Sequence, residues 1–286
     1  MNYKEVYTWG SHCLKQSGIE EFALDARLLL EHICHTNRNT LLVHGDRPVS
    51  ETEEAWYREA IAKRSSRIPL QHITGVQEFM GLEFTVNENV LCPRQDTECL
   101  VEEVMRYLHD GSRILDMCTG SGCILLSLLH YSNHCSGIGA DISEKALEVA
   151  KKNGIAIADM KRSNPWNEET VQWIHSDLFS EVPAEKFDII VSNPPYIASS
   201  VIPTLMEEVR EHEPMSALDG MEDGLFFYRK IVEESKNYLT KEGMLFFEIG
   251  HDQGQAVSEM MQQAGFQDVK VLKDFAGLDR VVYGSC

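Results

Sequence analysis

The most constraining stretch of this chain is Phe-Asp-Ile-Ile-Val-Ser at 187–192, followed at once by Asn193, Pro194, Pro195 and Tyr196. The run is too short for a helix and lacks the polar alternation of a half-exposed strand. Two prolines then stop any ladder, because neither can donate a backbone hydrogen bond. A strand apolar on both faces must be covered on both faces, which calls for a mostly parallel sheet between layers of helices. The second part of the chain supplies the partners. Segments 113–118, 136–142, 244–249, 269–272 and 280–283 read as further strands, and 121–130 and 143–153 as helices. The predicted class is therefore α/β, a Rossmann-like doubly wound sheet. Segment 154–169, with Asn164-Pro165 and little periodicity, reads as loop.

The first 75 residues follow another rule. Phe22, Ala26, Leu29, Leu30 and Ile33 recur at helical spacing, which leaves Asp25, Arg27 and Glu31 to face water. A second helix opens at Ser50 and Glu53, in capping-box spacing, and should end before Pro69. Between Gly75 and Pro93, Phe79, Leu82, Phe84 and Val86 lie among Gly81, Asn87 and Asn89, the pattern of a short hairpin. The expected organisation is a helical-bundle domain at 1–75, a hairpin linker at 76–93 and a catalytic domain at 94–286.

Charge divides at the same place. Of the net −19, residues 1–75 carry −1 (9 basic, 10 acidic) and residues 76–286 carry −18 (17 basic, 35 acidic). Duplex DNA is gripped largely by Lys and Arg on phosphates, so the acidity argues against direct DNA binding. The eight cysteines contain no CxxC pair and no zinc-ligand spacing, so reduced thiols and no metal are expected. No apolar run of about 18 residues occurs, and the N-terminus lacks a signal-peptide core. A cytoplasmic protein without membrane contact is expected, with a monomer as the default.

Two loops carry chemistry. Asp116 ends the first strand of the sheet, and Cys118, Thr119, Gly120, Ser121 and Gly122 lead into the next helix. Glycines there let backbone approach a ligand, and the helix start offers free N–H groups. The following strand ends in Asp141, placed to accept ribose hydroxyls. The turn is not GxGxxG, and Asp116 would repel a pyrophosphate. A cationic nucleoside cofactor such as S-adenosylmethionine suits it better. In the second loop, the Asn193 side-chain oxygen and the Pro194 carbonyl make fixed acceptors, and Tyr196 a flat wall. Two acceptors and a ring suit a planar –NH2 group. Accepting both of its N–H bonds leaves the nitrogen lone pair freer and aims it at a methyl carbon, so positioning and fixed dipoles can supply most of the acceleration.

With these residues in view, the chain resembles the class I S-adenosylmethionine-dependent methyltransferases, and more narrowly the peptide chain release factor glutamine N5-methyltransferases. The resemblance spans nearly the whole chain. It is carried by Pro69-Leu-Gln-His-Ile-Thr-Gly75, Phe79 with Gly81-Leu82, Pro93-Arg-Gln-Asp-Thr-Glu98, the 116–122 turn and Asp141. It continues through 192–196, Glu213-Pro214 with Ala217-Leu218, Asp223-Gly224-Leu225, Glu248-Ile249-Gly250 and Asp279-Arg280. It implies a seven-stranded sheet, a helical N-terminal domain that helps dock a release factor, and methylation of the glutamine of that factor's Gly-Gly-Gln tripeptide. By resemblance, Asp116, Cys118, Thr119, Gly120, Ser121, Gly122 and Asp141 hold S-adenosylmethionine and its product S-adenosylhomocysteine, with Asp177 or Leu178 near the adenine and Asn193 alongside. Asn193 and Pro194 accept from the glutamine amide, and Pro195 and Tyr196 shape its pocket.

The chain departs from the family pattern at three places. Cys118 stands where Gly is usual, and His72 and His212 stand where Tyr is usual. Both histidines read as packed or surface residues. Lys63, Arg64 and Arg67 read as a solvated helix face, with docking to an acidic factor or ribosomal RNA as the sharper alternative. Alternatives for the whole chain are a glutamine methyltransferase of ribosomal protein L3, an adenine-N6 nucleic-acid methyltransferase, which would have to hold a flipped base, and a non-catalytic cofactor-binding scaffold.

Overall fold

The computed structural model describes residues 1–160, 166 and 170–286. They fall into two compact units, Met1–Val76 with Met206–His212, and Gln77–Leu205 with Glu213–Cys286. The first unit holds α1 (Tyr3–Gln16), α2 (Phe22–Ile33), α3 (Arg38–Val43), α4 (Glu51–Ser65) and α5 (Leu70–Thr74). The Ser50–Glu53 capping box forms, with Glu53 N donating to Ser50 Oγ at 3.2 Å and Ser50 N to Glu53 Oε2 at 2.9 Å. Ala26, Leu29 and Leu30 bury against Leu14, Tyr57 and Ile61, as the helical spacing predicts.

Asp25 corrects the same stripe. It does not face water but is buried, accepting from Arg64 Nε at 2.7 Å. Arg64 also donates to the Ile68 carbonyl at 3.2 Å and to Glu208 at 2.9 Å. Burial nonetheless raises the Asp25 carboxyl above its ordinary range. Of the three basic residues read as a solvated face, only Lys63 is exposed in that sense, beside Glu59. Arg64 is interior, and Arg67 donates to the Ser17 carbonyl at 3.0 Å. A residue's helical phase does not reveal that a partner 39 positions away will meet it inside.

A hairpin follows, β1 (Val76–Phe79) and β2 (Leu82–Thr85), turning through Met80 and Gly81 at φ 51° and 70°. Two left-handed residues in succession match the strand twist. Then come α6 (Gln95–Met105), β3 (Arg113–Met117), α7 (Cys123–Tyr131), β4 (Ser136–Asp141), α8 (Glu144–Met160), β5 (Val171–His175) and β6 (Phe187–Ser192). After α9 (Glu207–His212), which belongs to the first unit, the chain forms α10 (Met215–Leu218), α11 (Phe226–Ser235), β7 (Leu239–Glu248), α12 (Gly254–Gln263), β8 (Gln267–Lys273) and β9 (Asp279–Ser285).

The seven strands from β3 onward form one sheet in the order β5-β4-β3-β6-β7-β9-β8, parallel except for β9. Alternate residues supply two cores. Ile114, Ile189, Val191 and Phe246 face α6, α7 and α8, while Leu115, Ile190, Leu245 and Phe247 face α11 and α12. Each such side chain contributes roughly 1.5–3 kcal/mol by leaving water. β5 has no counterpart among the strands read from sequence: Val171, Trp173 and Ile174 are only partly buried, so its apolar signal is weak. The loop expected at 154–169 is corrected at 154–160, where α8 continues because Gly154 and Ile157 pack inward, Gly154 against Trp173. Asn164-Pro165 lies outside the described residues.

Candidate active site

Strand order reverses between β3 and β6, and in such sheets the crevice opens at the carboxyl ends of the two strands flanking the reversal. Met117 pairs with Ser192, so the turn starting at Cys118 and the loop starting at Asn193 leave the sheet side by side. Both open on a cavity of about 300 Å³ lined by Cys118, Asp141, Asp177, Leu178, Asn193 and Pro195 among others. Asp116, Thr119, Ser121, Gly122 and Pro194 are buried, Gly120 and Tyr196 are half-buried, and none of the seven lines that cavity.

The turn is held by carboxylates on its own backbone. Asp116 Oδ2 accepts from Thr119 Oγ1 at 2.5 Å and Leu125 N at 3.3 Å, and Asp141 Oδ2 accepts from Gly120 N at 2.9 Å. Asp141 Oδ1 accepts from Ser143 N at 2.9 Å. Asp116 Oδ1 is buried with no hydrogen-bond partner among the described residues. Burial pushes the Asp116 carboxyl up to about 7, against the pull of Thr119 and Leu125. Asp141 is also raised, by burial first. Two carboxylates kept above their ordinary range beside one cavity make a site that gains from a cationic ligand. Gly122, at φ 79°, is needed for space as well as conformation, since a Cβ there would lie 2.8 Å from the Trp173 ring. Cys118 takes φ 61° without being glycine, a conformation that costs an L-residue about 1–2 kcal/mol.

The 193–196 loop is held from a distance. Asn193 Nδ2 donates to Thr97 Oγ1 at 3.5 Å, and Glu248 is buried at the end of β7, its carboxyl pushed up to about 7 by burial. Gln253 Nε2 donates to the Tyr196 carbonyl at 2.9 Å, while Gln253 Oε1 accepts from Gly250 N at 2.9 Å. Gly220 lies so close that a Cβ would approach the Tyr196 backbone to 2.8 Å.

The start of α6 ties this scaffold together. Arg94 pairs with buried Glu213 at 2.5 Å, Asp96 with Arg280 at 3.3 Å, Thr97 with Asn193, and Glu98 accepts from Met80 N at 2.6 Å in the hairpin turn. Thr97, Glu248 and Gln253 were not site candidates on chemical grounds. Thr97 and Glu248 do lie in two of the motifs that carry the resemblance, which was the available signal. Among the described residues, no group of three or more His, Cys, Asp or Glu could hold a metal ion, and no helix is long and apolar enough to cross a membrane.

Sheet order, crevice and the two loops define a methyltransferase of the doubly wound class. A methyltransferase structure from Pyrococcus furiosus agrees in fold, with a TM-score of 0.51 over 82% of this chain and 98% of that one, at 18% identity. The family model described as PrmC N-terminal domain matches residues 5–75, and that described as Methyltransferase small domain matches 93–211. The release factor glutamine methyltransferase of Clostridium acetobutylicum is 39% identical over 287 residues, covering 99% of this chain and 98% of that protein. That of Geobacter sulfurreducens is 38% identical over 281 residues, covering 98% and 95%. The chain belongs to the release factor glutamine methyltransferase family.

Proposed function

We propose that this protein transfers the methyl group of S-adenosylmethionine to the side-chain amide nitrogen, N5, of the glutamine in the Gly-Gly-Gln tripeptide of peptide chain release factors. The observation that carries the reading is that Asn193 and Pro195, from the loop after β6, line one cavity with Cys118 and Asp141, from the turn after β3 and the end of β4.

The residues fit the cofactor. Asp116 and Asp141 are raised carboxyls, and one Asp116 oxygen is buried and unpartnered among the described residues. A cation nearby would draw both toward the ionised form. Cys118, Thr119, Gly120, Ser121 and Gly122 would hold the methionine end, Asp141 the ribose, and Asp177 and Leu178 the adenine. S-adenosylmethionine supplies a methyl carbon made electrophilic by a positively charged sulfur, and no metal is required. Asn193 Oδ1 and the Pro194 carbonyl accept the two N–H bonds of the glutamine amide, and Pro195 and Tyr196 wall its plane. So held, the nitrogen lone pair points out of the amide plane toward the methyl carbon. The new N–C bond takes that pair while the methyl–sulfur bond breaks with its electrons left on sulfur, so S-adenosylhomocysteine leaves, and one amide proton passes afterwards to water. The helical unit is assigned to docking the release factor.

The test is incubation with labelled cofactor and a mixture of release factor, ribosomal protein L3 and DNA, followed by mass spectrometry. One methyl on the release-factor glutamine is expected, and none on a factor with that Gln changed to Glu, because a carboxylate presents no N–H to the two acceptors. Label on L3 or on DNA alone would overturn the reading.

A further inference from the structure

We infer that the tip of the β8–β9 hairpin, Phe275 to Leu278, is a docking surface for the release factor, which receives the Phe275 ring in an apolar hollow while its glutamine occupies the cavity. The inference rests on the proposed methyl transfer to that factor. It adds a second place of contact on the same edge of the sheet.

Turns between strands are ordinarily built from Gly, Asn, Asp, Ser and Pro. Here the four residues between Asp274 and Asp279 are Phe, Ala, Gly and Leu, and all four are exposed. Phe275 is 92% exposed and Leu278 45%. A run of four exposed apolar residues works against solubility unless it meets a partner. The tip is also held in shape. Asp274 is buried, and its Oδ1 accepts from Ala276 N at 2.9 Å and from Leu278 N at 3.0 Å. Asp274 N donates to the Leu278 carbonyl at 2.8 Å, and Gly277 takes φ 81° to close the turn. Arg280 donates to Asp274 Oδ2 from Nε at 3.2 Å and from Nη2 at 3.0 Å. A ring presented on a fixed turn loses little freedom on binding, which is the property of an anchor residue.

Position selects the partner. β7 runs parallel to β6, β9 antiparallel to β7 and β8 antiparallel to β9, so β8 ends at the edge where β3 and β6 open on the cavity. Val281 lies opposite both Glu248, the last residue of β7, and Leu272, so the tip begins just beyond that edge. The hairpin stands two to three strand spacings from β6, about 10–15 Å. Contacts join it to the site. Arg280 pairs with Asp96 at 3.3 Å, and the next residue, Thr97, accepts from Asn193 at 3.5 Å. A Gly-Gly-Gln tripeptide has one side chain, which the cavity takes up, and its glycines offer none. Further affinity for the protein that carries it must come from contacts away from the reacting centre. A second copy of this chain is the poorer occupant, because the edge strand β8 exposes Lys270 and Lys273, a guard against edge-to-edge pairing.

The test compares full-length wild type with Phe275→Ala and Phe275→Leu, using intact release factor and S-adenosylmethionine. For Phe275→Ala, kcat/KM for the factor is expected to fall about 10- to 30-fold through KM, the loss of one aromatic anchor, with kcat at saturation within about twofold. Cofactor Kd and the denaturant midpoint should stay at wild-type values, because Phe275 lies neither in the cavity wall nor in either core of the sheet. Phe275→Leu keeps an apolar side chain and should recover most of the loss. Independently of turnover, Phe275→Trp should show a blue shift of the added indole's emission, read as the difference from wild type, when release factor is mixed in without cofactor. Wild-type KM in Phe275→Ala, with no such shift, would overturn the inference and leave the methyl-transfer reading intact. A shift that grows with enzyme concentration alone would put a second copy on the tip and overturn it as well. A wild type that methylates no release factor would sink the methyl-transfer reading, and the emission shift on adding the factor would then decide the docking by itself.

Discussion

The turn after β3 takes its support from the contiguous β3-α7-β4-α8 stretch, with Asn153 of α8 donating to the Ser121 carbonyl at 2.9 Å. Thr119 and Leu125 donate to Asp116, and Gly120 to Asp141, all within one short stretch of chain. The loop after β6 is held instead by Thr97, Gln253 and the close backbone at Gly220, drawn from both sides of it in sequence. The first device needs only a strand, a glycine turn and two carboxylates, and it can present backbone to any nucleoside cofactor. The second needs several separate segments to meet at one loop. Affinity for the cofactor should therefore follow the turn, and the chemistry the loop.

Changes on the turn side test the first half of that division. Asp141→Ala removes the acceptor of Gly120 N and of Ser143 N, together with a charge at the cavity wall. Cofactor Kd should weaken about 10- to 100-fold, as for a lost charge-assisted hydrogen bond. A Kd unchanged by calorimetry would break the comparison. Gly122→Ala forces a Cβ into the Trp173 ring at φ 79°, and should cost about 2–3 kcal/mol in denaturant unfolding.

The pH dependence is next in size. Folded Asp116 sits at about 7, above its ordinary 3.8. The folded state thus keeps an extra proton between those limits, and the stability linked to it is complete below the lower and lost as pH rises through the upper. A cationic cofactor favours the ionised form, so its thermal stabilisation should be larger near pH 8 than near pH 6. Asp116→Asn should remove that difference, and equal gains in wild type at both pH values would contradict it. Cys118→Gly is the mildest change. It relieves about 1–2 kcal/mol of left-handed strain but adds about 0.5–1 kcal/mol of chain entropy, a net gain of about 0–1.5 kcal/mol. Cofactor affinity should tighten by no more than a few-fold, which separates strain at this turn from its binding role.

The same contrast explains what could be read in the residues. The apolar run at 187–192, the turn with Asp116 and Asp141, and the Ser50–Glu53 box are local patterns, and each forms as the spacing predicts. Where contacts are long-range, sequence reading stops short. Asp25 goes inside because Arg64 meets it there, and α8 continues to Met160 because Gly154 and Ile157 find the sheet layer. β5 is too weakly apolar to announce itself. Asn193 stands out in the sequence, but Thr97, which its amide meets, is 96 positions away.

The most direct measurement is a paired one on Asn193→Ala, cofactor binding by calorimetry and methyl transfer to release factor by mass spectrometry. Cofactor should bind within about threefold of wild type, while transfer falls about 100- to 1,000-fold, the scale seen when a fixed group stabilising the reacting centre is removed. Transfer at the wild-type rate would contradict the account, and so would a loss of activity traced wholly to lost cofactor binding.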